Sequence, residues 1–223
     1  EWRLTMHNFL FGIYPYIALS VLVIGSIARY ETDPFTWKTS SSQLLRRKQL
    51  ILGSVLFHLG ILVIFFGHFV GLMTPIQIFD ALGISHSAKQ LLAMGAGGIA
   101  GVLSLIGGLL LLHRRLFDSR IRKTSSFADI GILAIIVLQL ILGIGTIFVS
   151  AQHLDGHEMT KFMTWTQKIV TFRAGAAEEI ADVALIFKLH MFLGLTIFVL
   201  FPFTRLVHML SAPIRYVLRP GYQ

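Results

Sequence analysis

Five apolar runs, each near 20 residues or longer and almost free of charge, dominate this 223-residue chain; they cover roughly residues 9–28, 50–73, 90–112, 127–149 and 183–209. A hydrocarbon core about 30 Å thick is crossed by about 20 apolar residues in helical form. In lipid every backbone N–H and C=O must find a partner within the protein, which leaves helices or closed barrels. Barrel strands alternate in polarity and these runs do not. The pattern therefore predicts an all-α membrane protein with five transmembrane helices over residues 1–210 and a C-terminal tail, 211–223, on the cytoplasmic side. Composition agrees, because only 13% of residues are charged, too few to build a water-facing surface. The first run has neither a basic leader nor a small-residue cleavage site, so it reads as a retained span rather than a signal peptide.

The net charge of +8 invites a nucleic-acid reading, but the basic residues sit in short loops between apolar runs, so nucleic acid is excluded as a partner. Thirteen of the nineteen Lys and Arg residues fall on one side: Arg29, Lys38, Arg46, Arg47 and Lys48; Arg114, Arg115, Arg120, Arg122 and Lys123; and Arg205, Arg215 and Arg219. The other six are Arg3, Lys89, Lys161, Lys168, Arg173 and Lys188, mostly in one long loop. The positive-inside rule then predicts a periplasmic N-terminus and a cytoplasmic C-terminus. Within the outer loop at 150–182, residues 158–172 read as a helix lying on the membrane surface. Gly53, Gly60 and Gly67, spaced by seven, and the pair Gly97 and Gly101 predict close helix packing, with room for a flat cofactor as a compatible second role.

Within this apolar frame the second run carries His58 and His68, and the fifth carries His190 and His208. A metal-ligating side chain inside a membrane span is costly and marks a function by default. The predicted topology levels His58 with His208 near the inner face, and His68 with His190 near the outer face. Antiparallel helices thus offer two pairs, enough to clamp two haems one above the other. A lone membrane histidine is as well read as a hydrogen bond to a neighbouring helix; four in two level-matched pairs are not. On a straight helix His58 and His68 stand about 15 Å apart, and His190 and His208 about 27 Å. Pro202 should kink the fifth helix and shorten the second figure. The chain has no cysteine, so iron–sulfur ligation and covalent haem attachment are excluded and any haem is held non-covalently. Arg205, one turn before His208, is a candidate partner for a haem propionate. His7, His86, His113, His153 and His157 lie near span ends or in loops and read as interfacial or solvated. A haem-free transporter with histidine proton relays is the rival from another class.

The strings FHLGILVIFFGHFVGLMTP at 57–75, FVSAQHLDG at 148–156 and FKLHMFLGLTIFVLFPFTRLVHML at 187–210 resemble the gamma subunit of membrane-bound respiratory nitrate reductase. So do IYPYIA at 13–18, RRLFDSR at 114–120 and FRAGAA at 172–177. The resemblance runs over essentially the whole chain. It implies a bacterial inner-membrane anchor subunit with two b-type haems, each held by two histidines. His58 and His208 would ligate the proximal haem and His68 and His190 the distal one. It implies a quinol site at the outer end, involving Gly67, His68 and Lys89, for menaquinol or ubiquinol. It further implies partners on the cytoplasmic side: an iron–sulfur beta subunit, and an alpha subunit carrying molybdenum on bis-molybdopterin guanine dinucleotide. Related dihaem cytochromes of sulfur-metabolism or heterodisulfide-type complexes share the helical core and are the nearest alternative.

Overall fold

The structure, a computed structural model, describes residues 2–37 and 45–211, and of Arg3 only the backbone. Lys38, Arg215, Arg219 and the tail from 212 onward lie outside the described residues. Every regular element among the described residues is helical. Five helices are long and apolar enough to cross a membrane: Leu4–Thr32, Arg47–Met73, His86–Phe117, Phe127–Ser150 and Leu185–Phe203. They are the first to fifth spans below.

The spans begin and end where local chemistry dictates. The third starts earlier than its apolar run because the Ser85 hydroxyl accepts from Ala88 N at 3.2 Å, supplying the N-cap that a helix start lacks. The fourth opens on a capping box in which Ser126 and Asp129 each bond the other's backbone N–H. The first contains a π-helical stretch, Phe9–Ile13, just before Pro15. The fifth departs most from expectation. Its α-helix stops at Leu200, Phe201–Phe203 tighten into a 3-10 turn, Thr204 is extended, and a second 3-10 segment runs Arg205–Ser211. Pro202 has no N–H to continue the α-helical ladder, so the chain breaks rather than bends. His208 therefore does not lie on the α-helix that carries His190, and the straight-helix distance of about 27 Å between them does not apply.

The spans pack in the order second, third, fourth, fifth, first. The second span makes close backbone contact with the third and with a short helix, His157–Val170, but no comparable contact with the fifth or the first. The bundle is thus an arc with the second span at one lip. The second–third seam is built on small residues. A Cβ on Gly60 would overlap the Ala100 carbonyl and the Ser104 hydroxyl, and one on Gly53 would lie 3.2 Å from the Gly107 carbonyl oxygen. Gly101 similarly faces Ile144 on the fourth span at 3.2 Å. Gly67 and Gly97 instead face open space, so the glycines spaced by seven divide into two that pack and one that leaves a gap beside His68.

Two ends can be told apart. At one, Arg46 Nε meets Asp118 Oδ2 at 3.1 Å and Arg29 Nη1 donates to the Pro202 and Thr204 carbonyls at 2.7 and 2.8 Å. These contacts tie the first and third loops to the end of the fifth span, so the loop arginines collect there. At the other end His157–Val170 acts as a clamp. Gln167 Nε2 donates to the Leu72 and Thr74 carbonyls, both at 3.2 Å, and Trp165 Nε1 to the Phe11 carbonyl at 2.9 Å. Lys161 joins Asp182 at 2.6 Å and Glu158 at 3.2 Å; the Asp182 bond, with the Glu158 bond behind it, raises the lysine above its ordinary pKa. This helix is amphipathic, and its Met163, Trp165 and Ile169 are buried under the span ends.

Candidate functional site

The structure brings the four histidines together in two pairs, both between the second and fifth spans. The ring centres of His58 and His208 are 6.3 Å apart with planes at 76°, and those of His68 and His190 are 6.2 Å apart with planes at 43°. No pair crosses from one level to the other. The spacing has chemical content. A metal–imidazole bond is about 2.0 Å and the ligating nitrogen lies about 1.1 Å from its ring centre, so two imidazoles on opposite faces of one metal have centres about 6.2 Å apart.

Three of the rings are already oriented for such a role. His58 Nδ1 donates to the Ser54 carbonyl at 2.8 Å, His68 Nδ1 to the Ile64 carbonyl at 2.9 Å, and His208 Nδ1 to the Arg205 carbonyl at 2.5 Å. A bond at Nδ1 fixes the tautomer and leaves the lone pair of Nε2 for a metal. These acceptors follow from helical geometry: the carbonyl four residues back on an α-helix, three back on the 3-10 segment that carries His208. The third is visible only once the break at Pro202 is known. His190 is different, with Nδ1 buried and unpartnered among the described residues and Nε2 lying 3.5 Å from Gln139 Nε2.

The donor set also favours a metal that brings most of its own ligands. No group of three or more His, Cys, Asp or Glu side chains able to hold a bare ion occurs among the described residues, whereas a haem iron needs only axial ligands from the protein. Two facing imidazoles at each level, with a lip of the arc beside them, fit a flat macrocycle that needs only axial ligands.

Lys89 lies at the same end as His68 and is not a snorkelling surface lysine. It is 6% exposed. Its Nζ donates to the Gly71 carbonyl at 2.9 Å, reaches Met163 Sδ at 2.7 Å and stands 4.3 Å above the Phe79 ring. Gly71 is one helical turn beyond Gly67, so Lys89, Gly67 and His68 gather at the C-terminal end of the second span. Beside Lys89, the buried Gln90 donates to the Ser150 and His153 carbonyls at 3.0 and 2.8 Å and accepts from Gly156 N at 2.7 Å. This glutamine locks the loop after the fourth span onto the start of the third; its sequence neighbourhood carries no signal of that. Arg205 faces Asp129, with Nε to Oδ1 at 3.9 Å, too long for a close ion pair. Of the other histidines, His7 donates from Nε2 to the Ala177 carbonyl at 2.7 Å and His86 pairs with Asp80 at 3.1 Å.

Fold and site together define a multi-pass helical membrane protein whose intramembrane histidines face one another in two pairs at opposite ends of the bundle. The profile of the family described as "Nitrate reductase gamma subunit" matches residues 7–223. The chain is 52% identical over 214 residues to the respiratory nitrate reductase 1 gamma chain of Escherichia coli, covering 96% of this chain and 95% of that one. It is 41% identical over 210 residues to the nitrate reductase gamma chain of Bacillus subtilis, with 94% of each covered. The chain belongs to the nitrate reductase gamma subunit family.

Proposed function

We propose that this chain is the dihaem cytochrome b subunit of a respiratory nitrate reductase of the bacterial inner membrane, and that it oxidises quinol at its outer end. The observation that supports it most is the pair of facing imidazoles at each end of the bundle, at the spacing of two ligands on one metal. His58 and His208 would hold the proximal haem and His68 and His190 the distal one. The bound haems would supply one-electron carriers at the two levels, leading from the quinol to the iron–sulfur beta and molybdenum alpha subunits.

The residues of the chain do the rest. Open space at Gly67 admits the quinol ring next to the distal pair. His68 Nδ1 is engaged by the Ile64 carbonyl, which leaves Lys89 Nζ as the donor that binds a quinol oxygen. As a quinol gives up two electrons its two hydroxyl protons must leave, and Lys89, under the clamp helix, stands on the route to the outer face. The cluster of loop arginines marks the opposite end as cytoplasmic by the positive-inside rule. Protons released outside and electrons consumed inside store energy, about 2.3 kcal/mol for each charge moved across 100 mV. Nitrate would be reduced on the molybdenum subunit. Membership of the nitrate reductase family favours this partner set over the sulfur and heterodisulfide alternatives.

The test is optical. The complex purified in mild detergent should show Soret and α bands for two haems per gamma chain, both reducible by menaquinol or ubiquinol. Absence of those bands would overturn the proposal in favour of a haem-free protein.

A further inference from the structure

Three histidines of the site bind a backbone carbonyl through Nδ1; His190 alone does not, and the structure shows what stands in that place. Gln139 and Gly143 are one turn apart on the fourth span and both face the His190 ring. A Cβ on Gly143 would lie 2.9 Å from His190 Cε1 and 3.5 Å from Nδ1, so only glycine leaves the ring its room. Gln139 is moored by Nε2, which donates to the His190 backbone carbonyl at 3.0 Å. Its Oε1 is buried and has no hydrogen-bond partner among the described residues, and the same holds for His190 Nδ1. Two buried polar atoms on neighbouring side chains are thus left without partners, although an amide oxygen can accept and a protonated Nδ1 can donate. A rotated ring could serve both. Turning the imidazole about its Cβ–Cγ bond exchanges its two edges, an alternative that matches the ring's shape closely. It moves Nδ1 to the place of Cδ2, the atom bonded to the Nε2 that now lies 3.5 Å from Gln139 Nε2.

We infer that Gln139 and Gly143 form the seat of the distal ligand: Gly143 sets where the His190 ring stands, and Gln139 Oε1 accepts from its Nδ1–H. Gln139 is a positioning residue, since it acts through His190 and touches no substrate. The inference rests on the dihaem reading above. A carbonyl acceptor at Nδ1 makes an imidazole a stronger electron donor to its metal and favours the ferric state. The distal ligand would be the one of the four held by a side chain from another span rather than by its own backbone, so its electronic setting is open to change by substitution.

The experiment uses the intact complex, with redox titration of both haems and the low-spin EPR signal of each. Gln139→Leu, which keeps the bulk and loses the acceptor, should raise the distal midpoint potential and leave the proximal one where it was. Gln139→Glu, which keeps an acceptor in either protonation state, should hold the distal potential at or below the wild-type value. Gly143→Ala should change the distal EPR signal, which reports the angle between the two ligand planes, or remove the distal haem alone. Unchanged distal potential in Gln139→Leu, an equal rise in the Leu and Glu variants, or a shift of both haems together would overturn the inference. Should the Leu variant fail to assemble, the Glu and Gly143→Ala variants carry the test: a distal potential raised by Glu, or an unaltered distal signal in Gly143→Ala, overturns it. A wild-type complex without two haems would instead defeat the functional reading on which it rests.

Discussion

Replacing Gly107 with alanine tests whether the second–third seam holds the inner histidine in place. The new Cβ would sit 2.6 Å from the Gly53 carbonyl oxygen, 2.8 Å from Phe57 Cα and nearer still to Phe57 N. All three are backbone atoms, so no side chain can swing aside. Ordinary contact begins at 3.4 Å, so the two helices must part by at least about 0.8 Å locally. Overpacking of this kind costs about 1–3 kcal/mol, and an unyielding backbone puts it toward the upper end. Gly97→Ala on the same helix is the matched control, because no heavy atom lies within 4 Å of its Cβ. There the substitution should be neutral or stabilise by about 0.5–1 kcal/mol, the helical preference of Ala over Gly. The two variants should differ by about 2–4 kcal/mol, which is about 4–16 °C in thermal midpoint for a chain of this size. Phe57 precedes His58, and a 0.8 Å displacement is a large fraction of a metal–nitrogen bond of about 2.0 Å. Gly107→Ala should therefore also lose proximal haem before distal haem. Thermal unfolding of the detergent-purified complex, followed by Soret absorbance, measures both effects. Coincident midpoints with full haem content in both variants would refute the claim that this seam positions His58.

Three further outcomes follow from the same geometry. Either His68→Ala or His190→Ala should remove the distal haem and spare the proximal one, as counted from the α bands; a variant at either position that keeps both haems breaks the pairing. On the proposed function, Lys89→Ala should slow quinol oxidation while both haem spectra persist, since the lysine bonds the Gly71 carbonyl and does not lie between ring pairs; an unchanged rate removes it from the site. Gln90→Leu abolishes three hydrogen bonds, each worth about 0.5–1.5 kcal/mol, and leaves two carbonyls and one N–H to find other partners. Limited proteolysis should then cut the 151–156 loop faster than in the wild type, and equal rates would show that the loop is held by something else.

Much of this architecture was legible in the residues. The number and approximate places of the spans follow from run length, because lipid imposes a minimum length and tolerates few charges. Which histidine lies beside which follows from loop charge and antiparallel order. Distances were less accessible. Counting residues from His190 to His208 assumed one continuous helix, and Pro202 ends the helix instead of bending it. The split among Gly53, Gly60 and Gly67 was hidden as well. Equal spacing put all three near one face, but only a neighbouring helix decides which of them packs, and no heavy atom lies within 4 Å of where a Cβ on Gly67 would stand. The partners of Gln139 and Gln90 were not legible either. A polar residue in an apolar run says that a partner exists, and the identity of that partner is a property of the tertiary structure.

The arc of spans bears on how such a protein is made. The first and second spans, consecutive in the chain, end up on different sides of the gap, and the ring pairs lie along it from end to end. A closed bundle would have to assemble around its ligands or be pried apart to receive them. An arc can enter the bilayer span by span, settle its glycine seams, and only then take in a flat molecule sideways. On the proposed function, each haem would fasten the second span to the fifth as a clasp does, and delivery of the cofactor would be the last step of maturation rather than the first.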